Sequence, residues 1–279
     1  MESVKRQGRR RSGRGGVAAI FLLAAAGLVS ADETRNKIFA ARAGAEFQRA
    51  QIQWQSGTNG PSAAWQFARA CFDFADFATN DTGRAAIARQ GIAACQDLLE
   101  HETNSAPGHY YLAMNYGQLA RAEAPSLAAY RLVRQIEGEF KTAADLDKSF
   151  DYAGPERCLG LLYRDAPGWP FSIGSRRKAR EWLELAAKLA PDYPENHLNL
   201  AESFLQWHEG DNAKSGLSTL DALWPEAQTK FTGEAWERSW DDWATRRDAA
   251  RKKLAELSAP VKPKGKMTPI ITIPLGELF

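Results

Sequence analysis

A short pattern that recurs along the chain constrains its fold more than any other feature. The segment HYYLAMNY begins at His109, and HLNLAESF begins at His197. The two share His, Leu-Ala and an aromatic residue at identical offsets, and ERCLGLLY, which contains Leu159 and Tyr163, is a third copy. A proline precedes each copy by a few residues, as expected where one helix stops and the next begins. The chain therefore consists of repeated helical units.

The segments between these copies predict the partner helix of each unit. Ala213, Leu217 and Leu220 follow the copy at His197, and a proline closes the unit. These are the spacings of the tetratricopeptide (TPR) repeat, in which small residues allow two helices to approach closely. One hairpin cannot bury its apolar face alone, so such units stack. The sequence thus predicts an all-α, right-handed array of TPR-like helix hairpins. The predicted helices cover 36–55, 62–78, 83–102, 108–122, 126–148, 155–165, 175–190, 195–208, 211–224 and 234–257.

The last predicted helix carries a narrow apolar seam. Its aromatic and apolar residues alternate in steps of four and three, which is a heptad-type spacing. Two interpretations are open: a capping helix over the last hairpin, or a contact with another subunit. Residues 259–279 form a Pro/Lys-rich linker and an apolar tail, IITIPLGELF, that could dock in a groove, dock on a neighbouring subunit or remain loose.

The first 31 residues read as an export signal. A basic head is followed by the apolar run VAAIFLLAAAGLV and by small residues up to Ala31. We expect cleavage after Ala31 and a periplasmic protein, with retention as an anchor as the alternative. The predicted domains are a signal peptide at 1–31, a helical domain at 32–258 and the tail at 259–279. There is no lipid-attachment Cys near the cleavage point.

Charge argues against a nucleic-acid partner. The chain has 36 basic and 34 acidic residues. Six of the basic residues and one acidic residue lie in 1–31, so the remainder carries 30 basic and 33 acidic residues. No basic stripe of the kind that binds nucleic acid is left.

The polar residues do not form a recognisable catalytic or metal-binding pattern. His109 and His197 occupy the same repeat position, so the repeat explains their similarity, and no His, Cys or carboxylate group has metal-ligand spacing. Ser175 and Lys178 match a Ser-x-x-Lys pattern, but that motif belongs to a mixed α/β fold, and Ser175 reads more simply as a helix N-cap. We therefore expect no enzymatic activity, cofactor or metal, with an unrecognised hydrolase as the alternative.

Three cysteines sit among apolar residues of predicted helices, at positions 71, 95 and 158. An odd number in an exported chain cannot form a complete disulfide framework. Two interpretations of these cysteines therefore remain open: buried free thiols, or a disulfide bridge between Cys71 and Cys95.

The loop APGWPFSIG, which starts at Ala166, is the main candidate site. Two prolines stiffen it, and its aromatic residues either fold back as a lid or line a pocket beside arginines that face an anionic group. Aromatic and Arg side chains are also typical of protein–protein hot spots. The predicted ligand- or partner-binding residues are Tyr163, Arg164, Trp169, Phe171, Arg176 and Arg177.

The segments GHYYLAMNYGQLAR, FDYAGPERCLGLLYRDAPGWPFSIGSRRKA and LAPDYPENHLNLAESFL resemble the periplasmic T-component (TatT) family of TRAP-type transporters, over roughly residues 60–245. The resemblance implies an all-helical periplasmic protein with an internal cleft or pore through each protomer. It also implies association with an extracytoplasmic substrate-binding protein, and oligomerisation, a trimer being known in the family. The expected function is a non-catalytic adaptor or ligand-handling partner in solute uptake, with a protein partner and a small anionic ligand. A general cell-envelope scaffold without a small ligand is the alternative.

Overall fold

The computed structural model describes residues 16–57, 60–124 and 126–258, with side chains from residue 33 onward. The basic head of the predicted signal and the predicted tail at 259–279 lie outside these residues. The chain divides into two compact units, the first ending at Ser175 and the second beginning at Arg176.

The first unit consists of consecutive helices, and neighbouring helices along the chain pack against each other from α1 to α6. Their bounds are α1 Gly16–Ser56, α2 Ser62–Ala75, α3 Asp81–His101, α4 Ala106–Glu123, α5 Leu127–Leu146 and α6 Gly154–Asp165.

Side-chain caps explain why these helices start where they do. The side chains of Asn80, Ser105 and Ser126 accept hydrogen bonds from the backbone N–H groups three residues on, at the starts of α3, α4 and α5. Such a cap satisfies one of the donors that a helix N-terminus leaves without a partner. Pro107 and Pro155 lie in the first turns of α4 and α6, where no N–H is needed.

Small apolar residues hold the first helices together. Phe67, Ala70 and Cys71 of α2 are buried against Ala50 of α1 and Ala94 of α3, with Phe47, Trp54 and Ile87 packed around them. Alanines at the contact points let the helix backbones approach closely, as a repeat hairpin requires.

The second unit contains α7 Arg176–Leu189, α8 Pro194–Gln206, α9 Gly210–Lys230, a single 3₁₀ turn at Glu234–Trp236 and α10 Glu237–Ser258. Helix α8 packs against both α7 and α9. The predicted partner-helix residues Ala213, Leu217 and Leu220 are all buried.

Helix α10 covers the α8–α9 hairpin, which confirms the capping interpretation of its apolar seam. Trp243 is fully buried in an aromatic cluster with Tyr193 and Phe231. The guanidinium of Arg247 lies 3.7 Å from the ring centre of Trp224 and joins α10 to α9.

The predicted helices agree with the structure, with two notable differences. Helix α1 begins at Gly16, well before the predicted 36. Helix α9 continues through Pro225 to Lys230, whereas its predicted end was 224. Proline removes one backbone hydrogen bond, but Ala227 and Phe231 beyond it are buried, and this tertiary packing keeps the helix going. Within the described part of the chain, no helix is both long enough and apolar enough to cross a membrane.

Candidate binding cleft

The first unit contains a cleft of about 830 Å³ between α4, α5 and α6, with the end of α2 at one side. Most of its lining is apolar. The lining residues are Phe72, Asp76, Ala113, Met114, Gly117, Gln118, Ala120, Arg121, Ala124, Ala129, Tyr130, Val133, Ile136, Phe140, Cys158, Leu161, Leu162, Asp165, Ala166 and Pro167.

Small residues on α4 create the space. Ala113, Gly117 and Ala120 of α4, and Ala124 directly after it, recur along one face at three- and four-residue steps. A side chain built at Gly117 would meet no atom within 4 Å, so the cleft is open at that point. Larger residues at these positions would fill the cleft.

The other two walls carry larger apolar side chains. Val133, Ile136 and Phe140 line the cleft from α5, and Leu161 and Leu162 line it from α6. The α5 residues are spaced at helical intervals, and on α6 Cys158 precedes Leu161 and Leu162 by three and four residues. Each helix therefore turns one largely apolar stripe toward the cleft. This pattern favours an occupant with a large apolar surface.

Polar groups gather at one end of the cleft. The amide nitrogen of Gln118 donates to the Asp76 carboxylate at 2.8 Å and to the Phe72 carbonyl oxygen at 3.3 Å. Arg121 also reaches Asp76, with 3.4 Å between nitrogen and oxygen. Asp165 at the end of α6 accepts two hydrogen bonds, of 2.7 and 2.8 Å, from Arg164. The cleft is therefore amphipathic, with an apolar body and one charged end.

A buried polar network fixes α6 relative to α4. The Tyr110 hydroxyl donates to the Asp151 carboxylate at 2.8 Å, and Arg157 contacts the same carboxylate at 3.0 Å. Arg157 also donates to the backbone oxygens of Asp151 and Tyr152, which together with Ala153 adopt left-handed conformations. Such a run of non-glycine residues is strained, and these hydrogen bonds hold it in place.

The loop after α6 is closed on itself. Gly174 donates its N–H to the Pro167 carbonyl oxygen at 2.9 Å, and Ser175 donates to that of Tyr163 at 2.9 Å. A side chain at position 174 would overlap the Ala166 carbonyl oxygen, so only glycine fits there. The loop is a defined turn with its tip projecting outward.

Trp169 and Phe171 lie at this tip and are 89% and 82% exposed. They neither fold back as a lid nor line the cleft, so both geometric expectations for them are wrong. The polar backbone bonds that close the loop turn the two rings outward instead. Tyr163, also a predicted site residue, is 1% exposed, and its hydroxyl donates to Glu137.

The three predicted arginines form ion pairs with carboxylates of the protein. Arg164 binds Asp165, as described above, because the two side chains are adjacent at the end of α6. In the second unit, Arg176 binds Glu209 and stacks over Trp207, 5.3 Å from the ring centre. Arg177 binds Glu181 one turn further along α7, at 2.6 Å.

The environments of His109 and of the three cysteines are explained by contacts within the fold. The His109 ring nitrogens face Glu139 at 2.5 Å and the Thr103 carbonyl oxygen at 2.9 Å, and the bond to Glu139 raises the pKa of His109. Cys71, Cys95 and Cys158 form no disulfide within the described residues; Cys71 and Cys95 are buried, and Cys158 is partly exposed. Among the residues with described side chains, no group of three His, Cys, Asp or Glu residues could hold a metal ion.

Paired helices that pack through small residues and leave a concave cleft define a TPR-type helical-repeat scaffold. A solved structure of this type, a thermophilic TPR protein from Thermus thermophilus, matches with a TM-score of 0.57. The two share 18% sequence identity, and the match covers 76% of this chain and 92% of that one. At this identity the likeness shows the fold alone, and it confirms the predicted all-α, TPR-like fold class. No protein-family model and no curated protein matches the chain.

The resemblance implied an internal cleft, but the predicted site residues lie in or beside the loop and none of them lines this cleft. The available signal was the spacing of Ala113, Gly117 and Ala120 on α4 and of Ala124 directly after it, which makes one helix face unusually small. The sequence does not show that α5 forms a wall opposite that face.

Proposed function

We propose that this protein is a non-catalytic binding protein that holds a ligand in the cleft and contacts a protein partner through the exposed loop. The cleft is the observation that carries this proposal, because a TPR-type scaffold with an open, mostly apolar cavity of about 830 Å³ has the form of a binding site. TPR-type scaffolds generally bind other proteins, and the structure offers a second surface for that purpose.

That second surface is the loop tip at 167–171. Trp169 and Phe171 lie next to Pro167 and Pro170 in this tip. All four residues are exposed, and the tip contains no charged residue. Exposed aromatic groups on a pre-ordered loop suit a protein contact, since little conformational entropy is lost when they bind.

The finer proposal is a periplasmic adaptor or ligand-handling partner of a TRAP-type uptake system. It is supported by the export-signal pattern at 1–31 and by the sequence resemblance to the T-component family. Its partner would be an extracytoplasmic substrate-binding protein, and cleavage after Ala31 would leave Asp32 as the first residue.

The experiment is affinity purification of the tagged protein from periplasm, followed by mass spectrometry of captured proteins and of the mature N-terminus. The Trp169→Ala/Phe171→Ala variant should lose the captured partner. Ile52→Ala, which removes an exposed apolar side chain from α1, is the matched control and should retain it. Capture that the loop variant leaves unchanged would exclude the loop as the contact surface.

The identity of the captured protein separates two candidate functions. A substrate-binding protein supports the uptake role. Envelope-assembly proteins, with no small molecule bound, would support a general cell-envelope scaffold, which the exposed loop tip favours independently of the cleft. A protein found in the cytoplasm with residues 1–31 intact would contradict both.

A further inference from the structure

The dimensions of the cleft define the shape of its ligand. Its lining runs from Ala113 in α4 to Ala124 directly after this helix, and from Ala129 to Phe140 on α5. At 1.5 Å per residue, each wall is about 16 Å long. A volume of about 830 Å³ lies within the range of small-molecule pockets. A single elongated apolar molecule therefore fits the cleft.

The backbone gives the polar end of the cleft a negative potential. The C-termini of α2, α4 and α6 all border the cleft, because Asp76, Ala124 and Ala166, the residues after their last helical residues, line it. Helix C-termini expose carbonyl oxygens and carry the negative end of the helix dipole. Helix α5 begins beside the end of α4, and the positive end of its dipole opposes the negative potential. Three helix C-termini nevertheless outweigh this one N-terminus.

The side chains at this end add acceptors rather than free cations. Asp76 and Asp165 contribute carboxylates to the lining, and Arg121 contributes a guanidinium that already contacts Asp76. Arg164 neutralises Asp165 from outside the lining. An anionic head would meet carbonyl and carboxylate oxygens, whereas a donor could bond to them.

We propose that the cleft binds an amphiphile with an elongated apolar body and a cationic, hydrogen-bond-donating head such as a primary ammonium group. The head lies between Asp76 and Asp165, and the body lies along the Gly117 face of α4. This inference rests on the proposed binding role of the cleft, and it replaces the small anionic ligand expected from the sequence with a cationic one.

The test compares three probes with the same chain and different heads: dodecylammonium, dodecanol and dodecanoate. Binding is measured by isothermal titration calorimetry at neutral pH, below the micelle concentration of each probe. We expect dodecylammonium to bind about tenfold more tightly than dodecanoate, with dodecanol between them, since helix-terminus charge effects reach roughly this size. Added salt should reduce the difference.

Matched variants locate the binding. Gly117→Leu fills the cleft and should abolish binding of all three probes. Gly138→Leu, at an exposed α5 position where a side chain also meets no atom within 4 Å, lies outside the lining and should leave binding unchanged. Arg121→Gln should strengthen dodecylammonium binding, and Asp76→Asn should weaken it, with thermal unfolding as the check on folding.

Three outcomes would overturn the inference: dodecanoate binding at least as tightly as dodecylammonium, binding that persists in Gly117→Leu, or no binding of any probe. Because the partner is captured through the loop, these outcomes leave the proposed protein-binding function standing. Conversely, loss of the partner role would not alter the probe affinities.

Discussion

Replacing Gly91 with alanine should destabilise the protein, although the same change at Gly117 should stabilise it. Both glycines lie inside helices, α3 and α4. A methyl group at position 91 would come within 2.7 Å of the side-chain atoms of Asn115, whereas one at position 117 would meet nothing within 4 Å. The two sites therefore separate helix propensity from packing.

The expected magnitude at position 91 follows from what Asn115 does. Asn115 is fully buried, and its amide nitrogen donates to the carbonyl oxygens of Ala68 in α2 and Tyr111 in α4, at 2.9 and 2.8 Å. Overpacking costs about 1–3 kcal/mol and a displaced buried hydrogen bond about 1–3 kcal/mol, while removing a helix glycine returns about 0.5–1 kcal/mol. We expect Gly91→Ala to cost about 2–4 kcal/mol.

Urea unfolding followed by far-UV circular dichroism measures both changes. Gly117→Ala should gain about 0.5–1 kcal/mol. In the Asn115→Ala background the clash is absent, so the cost of Gly91→Ala should fall by at least about 1 kcal/mol. Equal effects at the two glycines, or an unchanged cost in the Asn115→Ala background, would refute the contact between α3 and α4 as described.

Further predictions concern pH and the loop. Burial raises the pKa of Glu156 from 4.5 to about 7, so its contribution to stability is lost as pH rises through that interval. Measured by urea unfolding, Glu156→Gln should be more stable than wild type by up to about 3 kcal/mol at pH 8. At pH 5 the two proteins should be nearly equal in stability. The bond to Glu139 raises the pKa of His109 above 6.5, so the stabilising effect of His109 is complete below pH 6.5 and is lost as pH rises through the raised value. In a plot of unfolding free energy against pH, His109→Gln should therefore show a flatter alkaline side than wild type. A plot parallel to that of wild type would contradict the ion pair. Gly174→Ala should open the loop, seen as faster limited proteolysis near position 170 with little change in melting temperature, and an equally resistant loop would show that the closure is not needed.

Local sequence signals predicted the helices because each signal acts over a few residues. Caps such as Ser105 and first-turn prolines such as Pro107 fix helix starts without help from the rest of the fold. Pro225 shows the limit: it reads as a stop, yet α9 passes through it because buried Phe231 lies beyond. Tertiary packing of this kind is not visible in a local pattern.

The site was harder to predict than the fold. The composition of the loop correctly marked it as unusual, but the outward direction of Trp169 depends on backbone hydrogen bonds across the loop. The cleft depends on the distance between α4 and α5, and the pairing of Arg176 with Glu209 depends on residues 33 positions apart. Side chains that meet through folding carry no spacing signal in the sequence.

The accessibility of Cys158, the cysteine that lines the cleft, tests most directly whether the cleft between α4, α5 and α6 is open. Native protein is treated with N-ethylmaleimide, and the modified cysteines are identified by peptide mass spectrometry. Cys158 should be modified while buried Cys71 and Cys95 are spared, and its reaction should be slower in Gly117→Leu but not in Gly138→Leu. A Cys158 that is as inert as the two buried thiols, or that reacts at the same rate in Gly117→Leu, would contradict an open cleft between α4, α5 and α6.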